Sequence, residues 1–153
     1  MKELKVQPIK NGTVIDHITP GCALKVLKIL RIPGDVGGGS IISVVMNVEG
    51  GSGKKDIVKI ENRELKAHEV DKIALIAPNA TINIIRDYEV QDKHRVSVPD
   101  DIVGIVECAN PSCISNAAGE PIQPRFVVKS RNPLRIKCFY CERELEDISA
   151  GII

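Results

Sequence analysis

An α+β protein in two parts is predicted by three features of the sequence. Over about the first 98 residues, β-rich runs and runs of helical period follow one another in the order β-α-β-β-α-β. Clusters of Gly, Pro and Asn separate those runs, and the last third holds two close cysteine pairs, Cys108-Ala-Asn-Pro-Ser-Cys113 and Cys138-Phe-Tyr-Cys141. The βαββαβ order is that of the ferredoxin-like split arrangement, in which two helices cover one face of an antiparallel sheet. The expectation is a ferredoxin-like domain over residues 1–98 and a small metal-bound antiparallel β domain over residues 99–153.

Each element has its own local reason. Residues 5–18 carry β-rich pieces on both sides of Asn11-Gly12, a turn dipeptide. Thr19 and Pro20 suit an N-cap and first helical position; Leu24, Leu27, Ile29 and Leu30 follow at mostly helical spacing, and Pro33-Gly34 ends the run. Residues 34–39 are a glycine-rich loop, and Ser40 to Val48 is β-branched and nearly continuously apolar, as a buried strand is. Gly50-Gly51-Ser52-Gly53 turns the chain into a second strand, Lys55 to Glu61. Leu65, Val70, Ile73, Ala74 and Ala77 mark an amphipathic helix that lacks a good N-cap and is stopped by Pro78-Asn79. A last strand is expected from Thr81 to Val90, and the polar Lys93 to Asp101, with Pro99, suits a connector.

Strand-like pieces recur at Ile102 to Cys108, Arg125 to Ser130 and Leu134 to Cys138. So short a segment buries too little to fold on its own, and a metal supplies the missing stability. Cys108, Cys113, Cys138 and Cys141 form two pairs with 24 residues between them, and such pairs place four thiolates ~2.3 Å from one Zn²⁺. With all four positions taken by sulfur, the zinc is structural, since no place remains for water or substrate. Two disulfides or four separate core cysteines fit less well: Met1 to Lys5 lacks the apolar run of a signal peptide, which points to the reducing cytoplasm. Lys137 and Arg143 flank the second pair and offset the net negative charge of a four-thiolate zinc site.

Composition excludes several function classes. No apolar run approaches the ~18 residues of a membrane span, and 21 basic against 20 acidic side chains advertise neither nucleic acid nor membrane. With no Trp, two Phe and two Tyr, the core must be aliphatic. Gly50 to Lys55 resembles a phosphate-binding P-loop, but Val48 stands where its first Gly belongs, Lys55 where its Ser/Thr belongs, and a β-rich run follows instead of a helix. A hairpin loop is the better reading. Asp16-His17 has no nucleophile or second carboxylate placed near it, so no acid/base constellation can be named. Lys55 and Lys59 stand four apart on a strand, on one face and ~13 Å apart, where two cations can grip an anion or simply face solvent. Cys22 reads as a small core hydrophobe, and Phe139 and Tyr140 as packing for the knuckle or a protein partner.

Four runs then resemble one family: Lys10 to Ile18, Lys55 to Asn62, Ala77 to Val90, and the cysteine quartet with Cys113-Ile114-Ser115. Together they resemble the regulatory chain of aspartate carbamoyltransferase over essentially the whole length. The resemblance implies a non-catalytic subunit acting in the first committed step of pyrimidine biosynthesis. Its N-terminal domain would bind CTP and UTP as inhibitors and ATP as activator and form a regulatory-chain homodimer. Its zinc domain would dock on the catalytic chain, through the insert between the cysteine pairs and the turn from Cys113 to Asn116. Carried onto this sequence, base and ribose contacts fall on Val6, Ile9, Asp16, Lys59, Tyr88 and Val90. Phosphate contacts fall on His17, Lys55 and Lys93, and Asn83 and Ile85 line the same pocket. The rival reading from another class is a nucleic-acid-binding zinc ribbon with a ligand-sensing domain, which would want a basic stripe that the balanced charge does not provide.

Overall fold

The computed structural model describes residues 9–32, 41–51, 53–119 and 121–153. Val6, the Pro33-Gly34 break, the glycine-rich residues 34–39 and Ser52 lie outside the described residues. The chain divides into two compact units, Met1–Val96 and Ser97–Ile153. No helix among the described residues is long and apolar enough to cross a membrane.

The N-terminal unit runs β1 (Gly12–Ile18), α1 (Ala23–Ile29), β2 (Ile42–Gly50), β3 (Gly53–Glu61), α2 (Ala67–Ile76), β4 (Thr81–Arg86) and β5 (Glu89–Arg95). All five strands form one antiparallel sheet in the order β2-β3-β1-β4-β5. The first four with the two helices make the ferredoxin-like βαββαβ arrangement, and β5 is added outside β4. The run expected as one strand from Thr81 to Val90 is therefore a hairpin. Asp87 and Tyr88 both have positive φ, 50° and 67°, which is the conformation of a two-residue type I′ turn. Neither is glycine, so the turn leaves little mark in the sequence. Lys93, His94 and Arg95, expected in a connector, belong to the exposed edge strand β5.

Strand alternation buries Thr13 and Ile15 of β1, Val58 and Ile60 of β3, and Ile82 of β4 on one face. Above them Val26 of α1, Leu30 just after it, and Ile73 and Ala74 of α2 are fully buried. Each large aliphatic side chain so buried contributes about 1.5–3 kcal/mol. Gly12 permits the close start of the β1–β3 pair: its φ is 146°, and a Cβ there would stand 2.1 Å from the Ile60 carbonyl oxygen.

Helix α1 does not begin at the expected Thr19 cap. A turn closed by Cys22 N–H on the Thr19 carbonyl (2.9 Å) comes first, and a residue far along the chain then serves as the cap. The fully buried Asp56 accepts the N–H groups of Gly21 (2.9 Å) and Ala23 (3.1 Å) on Oδ2, and that of Asn47 (2.7 Å) on Oδ1. Asn47 (φ 60°) sits in the bulge where β2 shifts register between Val45 and Val48. One carboxylate thus joins β3 to the helix N-terminus, where negative charge is favoured, and to the bulge. Helix α2, which has no capping side chain before it, is closed by Glu69. That carboxylate accepts Lys66 N–H (2.9 Å) and pairs with Arg63 (2.6 Å), while Arg63 donates to the Leu30 carbonyl (3.0 Å) at the end of α1.

The C-terminal unit is a three-stranded antiparallel sheet, β6 (Asp101–Val103), β7 (Arg125–Arg131) and β8 (Leu134–Cys138), in that order. A 3₁₀ turn spans Ile114–Asn116, and a short helix, α3, spans Ile148–Gly151. Ile102, Val106, Phe126 and Ile136 are its buried centre. The strand expected from Ile102 to Cys108 stops at Val103 because Gly104 turns the backbone with φ 77°. Val106 then bridges Ile152, and Glu107 N–H bonds the Gly151 carbonyl at 2.7 Å.

Removing the Asp56 carboxylate leaves three backbone donors without their acceptor, at about 1–3 kcal/mol for each one left buried. Asp56→Ala is expected to destabilise the N-terminal unit by roughly 3–5 kcal/mol in a denaturant melt. A loss below about 1 kcal/mol would mean that the three donors find water instead.

Candidate functional site

Two groups of side chains stand out, one in each unit. In the N-terminal unit the antiparallel register sets a row across four strands. Lys59 pairs with Val14, Val14 with Asn83, and Asn83 with Lys93, so these residues share the face opposite the helix-covered core. The next row toward the end of β1 pairs Asp16 with Thr81 and Thr81 with Arg95. On the other side Ile85 pairs with Gly12 and with Val90. From Ile85 to Thr81 the face extends roughly 14 Å along the strand.

Plain alternation would point Asp16 and His17 to opposite faces. His17 instead has φ 57° and lies in the bulge where β1 shifts register against β3, so both side chains reach one place. The Asp16 carboxylate stands 3.0 Å from Lys55 Nζ and 3.9 Å from His17 Nδ1, and accepts the His17 backbone N–H at 2.7 Å. His17 Nδ1 also lies 3.2 Å from Thr81 Oγ1. Partial burial pulls the Lys59 amine below its ordinary range, with the Asp16 carboxylate opposing. A cavity of about 510 Å³ opens at this end, lined by His17, Lys54, Lys55, Asn79, Thr81 and Arg95 together with residues 18–20 and glycines of the β2–β3 hairpin. Gly50 leaves room for the lysine stem: a Cβ there would stand 3.1 Å from Cδ and Cε of Lys55.

At the opposite end the β4–β5 turn meets the chain ahead of β1. Tyr88 N–H donates to the Lys10 carbonyl (2.9 Å) and Asp87 N–H to Asn11 Oδ1 (3.2 Å). Ile9 and Ile85 are buried there, whereas Tyr88 and Val90 are exposed. The expected contact residues thus fall into an apolar end (Ile9, Ile85, Tyr88, Val90), a middle row (Lys59, Asn83, Lys93) and a charged end (Asp16, His17, Lys55); Val6 lies outside the described residues. Lys54, Asn79, Thr81 and Arg95 were not singled out by the sequence. Arg95 had a signal, since it stands two residues from Lys93 and so on the same strand face, but only once β5 is recognised as a strand.

In the C-terminal unit the four sulfurs of Cys108, Cys113, Cys138 and Cys141 lie within 4.8 Å of one another. The Cys108–Cys141 and Cys113–Cys138 separations are 3.7 and 3.6 Å, and none of the four is in a disulfide. A tetrahedron of sulfur around a metal at ~2.3 Å has edges of ~3.8 Å, so the residues fit a tetrahedral ion. Two turns shape the site. Asn116 Nδ2 donates to the carbonyls of Cys108 (2.9 Å) and Asn110 (2.8 Å) and closes the first loop. In the second, Glu142 takes φ 62° and donates its N–H to the Cys138 carbonyl (3.0 Å), while Cys138 N–H bonds the Arg143 carbonyl (2.9 Å). The Arg143 backbone N–H draws the Cys141 thiol down to about 7, while burial pushes Cys108 up to about 12. Cys113 is pressed upward by burial but held low by hydrogen bonds from Ser115.

Metal capture must displace protons from thiols, above all from Cys108, so affinity falls as pH falls. Metal release, followed with a colorimetric chelator, is expected to rise steadily from pH 8 to about 5. Full chelation or Cys138→Ser is expected to erase the dispersed amide resonances of residues 97–153 while leaving those of the N-terminal unit. Retained dispersion in the metal-free C-terminal unit would overturn the dependence of this fold on the ion.

The family model described as "Aspartate carbamoyltransferase regulatory chain, allosteric domain" matches residues 4–97, and that described as "Aspartate carbamoyltransferase regulatory chain, metal binding domain" matches residues 100–150. An aspartate carbamoyltransferase regulatory chain from Methanothrix thermoacetophila is 59% identical over 147 residues, covering 95% of this chain and 94% of that one. The same-named chain of Hyperthermus butylicus is 60% identical over 139 residues (90% and 86% covered), and that of Thermococcus sibiricus 54% over 148 (96% and 95%). Two matched domains in sequence order and this level of identity over nearly the full length make the chain a regulatory chain, not a catalytic one: it belongs to the family of aspartate carbamoyltransferase regulatory chains.

Proposed function

We propose that this regulatory chain binds nucleoside triphosphates on the open sheet face of its N-terminal domain (residues 1–98) and passes the effect to catalytic chains of aspartate carbamoyltransferase. CTP and UTP act as inhibitors and ATP as activator, in the first committed step of pyrimidine biosynthesis. The observation that carries the reading is the register row Lys59–Val14–Asn83–Lys93, flanked by an apolar end at Ile85 and Val90 and a charged end at His17 and Lys55. An elongated ligand with an aromatic base and an anionic tail is complementary to such a face, because the ends differ in polarity in the same sense. The middle row meets the ribose and first phosphate.

The C-terminal domain (residues 99–153) holds one structural Zn²⁺ on Cys108, Cys113, Cys138 and Cys141. An all-sulfur tetrahedral set favours Zn²⁺ over harder divalent ions and leaves no open position for chemistry. Its role is to hold a docking surface for the catalytic chain, around the turn from Cys113 to Asn116, where Ile114 is exposed. A pair of regulatory chains joined through their N-terminal domains bridges catalytic trimers. Four cysteines kept as thiolates suit the cytoplasm.

Regulation is then a population shift. A nucleotide that binds one quaternary state better than another moves the equilibrium by that difference, and ligands of the aspartate site change nucleotide affinity by the same factor. A coupling of roughly 1–3 kcal/mol is of ordinary size.

The test is the aspartate saturation curve of the cognate catalytic trimer, with and without the zinc-loaded chain, each in the presence of CTP or ATP. Addition of the chain is expected to change the curve and the nucleotides to shift it in opposite directions; co-assembly with a curve indifferent to nucleotides would overturn the effector role. Lys59→Ala is expected to weaken CTP binding about tenfold, near 1.4 kcal/mol, by calorimetry without disturbing assembly. Unchanged affinity in that variant would refute the site.

A further inference from the structure

The four cysteines of the C-terminal cluster differ in their access to solvent. Cys108, Cys113 and Cys138 are buried, the last with no exposure, whereas Cys141 is half-buried. The Cys113 sulfur has the Ser115 hydroxyl 3.1 Å away. Cys138 is set in the second turn by its N–H on the Arg143 carbonyl and by the Glu142 N–H on its own carbonyl. The Cys141 sulfur stands 3.7 Å from that of Cys108, across the site on the other loop. A cavity of about 180 Å³ opens beside this pair, with Cys108, Asn110, Pro111, Phe126, Arg143 and Leu145 among its lining residues. It has room for a molecule of a few heavy atoms. Glu144 also lines it, but that carboxylate is engaged by Arg135 (2.5 and 2.8 Å) and Lys129 (3.7 Å), which leaves Arg143 as the cation of the cavity.

We propose that the metal site is also a thiol switch for a small peroxide, in which Cys141 is oxidised first and Cys108 resolves it to a Cys108–Cys141 disulfide that frees the ion. The inference rests on the zinc reading above and goes beyond it. A redox-sensing thiolate needs exposure and a resolving sulfur within reach, and Cys141 alone of the four has both. The Cys141 sulfur attacks one oxygen of the peroxide: the S–O bond forms as the O–O bond breaks, hydroxide leaves, and the sulfur becomes a sulfenic acid. The Cys108 thiolate then attacks that sulfur, the S–S bond forms as the S–O bond breaks, and a second hydroxide leaves. Two thiolates have lost two electrons, and the peroxide has gained them. The Arg143 guanidinium at the cavity favours each departing anion. A disulfide of ~2.05 Å draws these sulfurs well inside their 3.7 Å separation and off the ~3.8 Å edge of a metal tetrahedron. Two of the four ligands are thereby consumed, and Cys113 and Cys138 alone cannot hold the ion. A dithiol reductant restores both thiolates and with them the site.

The experiment treats the zinc-loaded full chain with hydrogen peroxide, follows the ion with a colorimetric chelator, and maps disulfides by mass spectrometry after alkylation. It is run in a Cys22→Ser background, which removes the fifth thiol. Cys141→His and Cys113→His are compared with that parent, because histidine can replace one sulfur of a four-coordinate zinc site without vacating it. The expected result is release of the ion together with a Cys108–Cys141 disulfide, and reversal by dithiothreitol with added zinc. Release is expected to slow about tenfold in Cys141→His and to stay within about twofold of the parent in Cys113→His. Zinc kept at peroxide concentrations that oxidise Cys22 in the wild-type chain, a map showing Cys138–Cys141 instead, or equal release in the two histidine variants would overturn the switch while the zinc reading stands. Should a histidine variant bind no zinc, the disulfide map of the parent decides. A parent chain that takes up no zinc before oxidation would overturn both readings.

Discussion

The buried carboxylate of Asp56 is the constraint on which the N-terminal unit turns. A charge with no exposure is tolerable only when its oxygens are occupied, and here three backbone N–H groups occupy them. Those donors come from the turn before α1, from α1 itself and from the β2 bulge, so satisfying one side chain fixes three segments against β3. The consequence for function lies one residue away. Lys55 points to the opposite face from Asp56, and Lys59 follows on that same face; the strand that carries both lysines is tied from behind, through the carboxylate between them, to three other segments. The sheet face proposed to bind nucleotide is thus anchored through its back.

Breaks in regular geometry shape the face proposed to bind nucleotide. Were β1 an ideal strand, Asp16 and His17 would diverge; the left-handed turn of His17 brings the imidazole beside Asp16 and Thr81. The Asp87-Tyr88 turn folds the chain back as β5 and so adds Lys93 and Arg95 to a face that would otherwise end at Asn83 and Thr81. Each departure brings a cation or a hydrogen-bonding group to the same side. Such departures are found where a local cost is accepted for the sake of a site.

In the C-terminal unit the four-cysteine cluster adds to a small hydrophobic core around Ile102, Val106, Phe126 and Ile136. Three short strands, one 3₁₀ turn and one short helix bury few large side chains. The sulfurs supply the remaining closure, with Cys108 and Cys113 on one loop and Cys138 and Cys141 at the end of β8. Asn116 works behind the ligands, holding the Cys108 and Asn110 carbonyls together so that the first pair keeps its spacing.

How much was legible follows from the range of the interactions involved. The cysteine spacing, the aliphatic periodicities and the βαββαβ order are properties of residues near one another in the chain, and they sufficed for the fold class and the metal cluster. The same holds for Lys55 and Lys59 sharing a face, since a strand's period of two places residues four apart on one side. The start of α1, the strand β5 and the cavity lined by Lys54 and Arg95 were decided only by tertiary structure. The cap of α1 is supplied by a carboxylate 33 residues beyond Ala23; the type I′ turn forms at Asp-Tyr without glycine; and the cavity joins the β2–β3 hairpin to the far edge of the sheet. Local propensity and pattern report what a segment prefers by itself, whereas capping at a distance, register and the convergence of side chains exist only after the strands have paired.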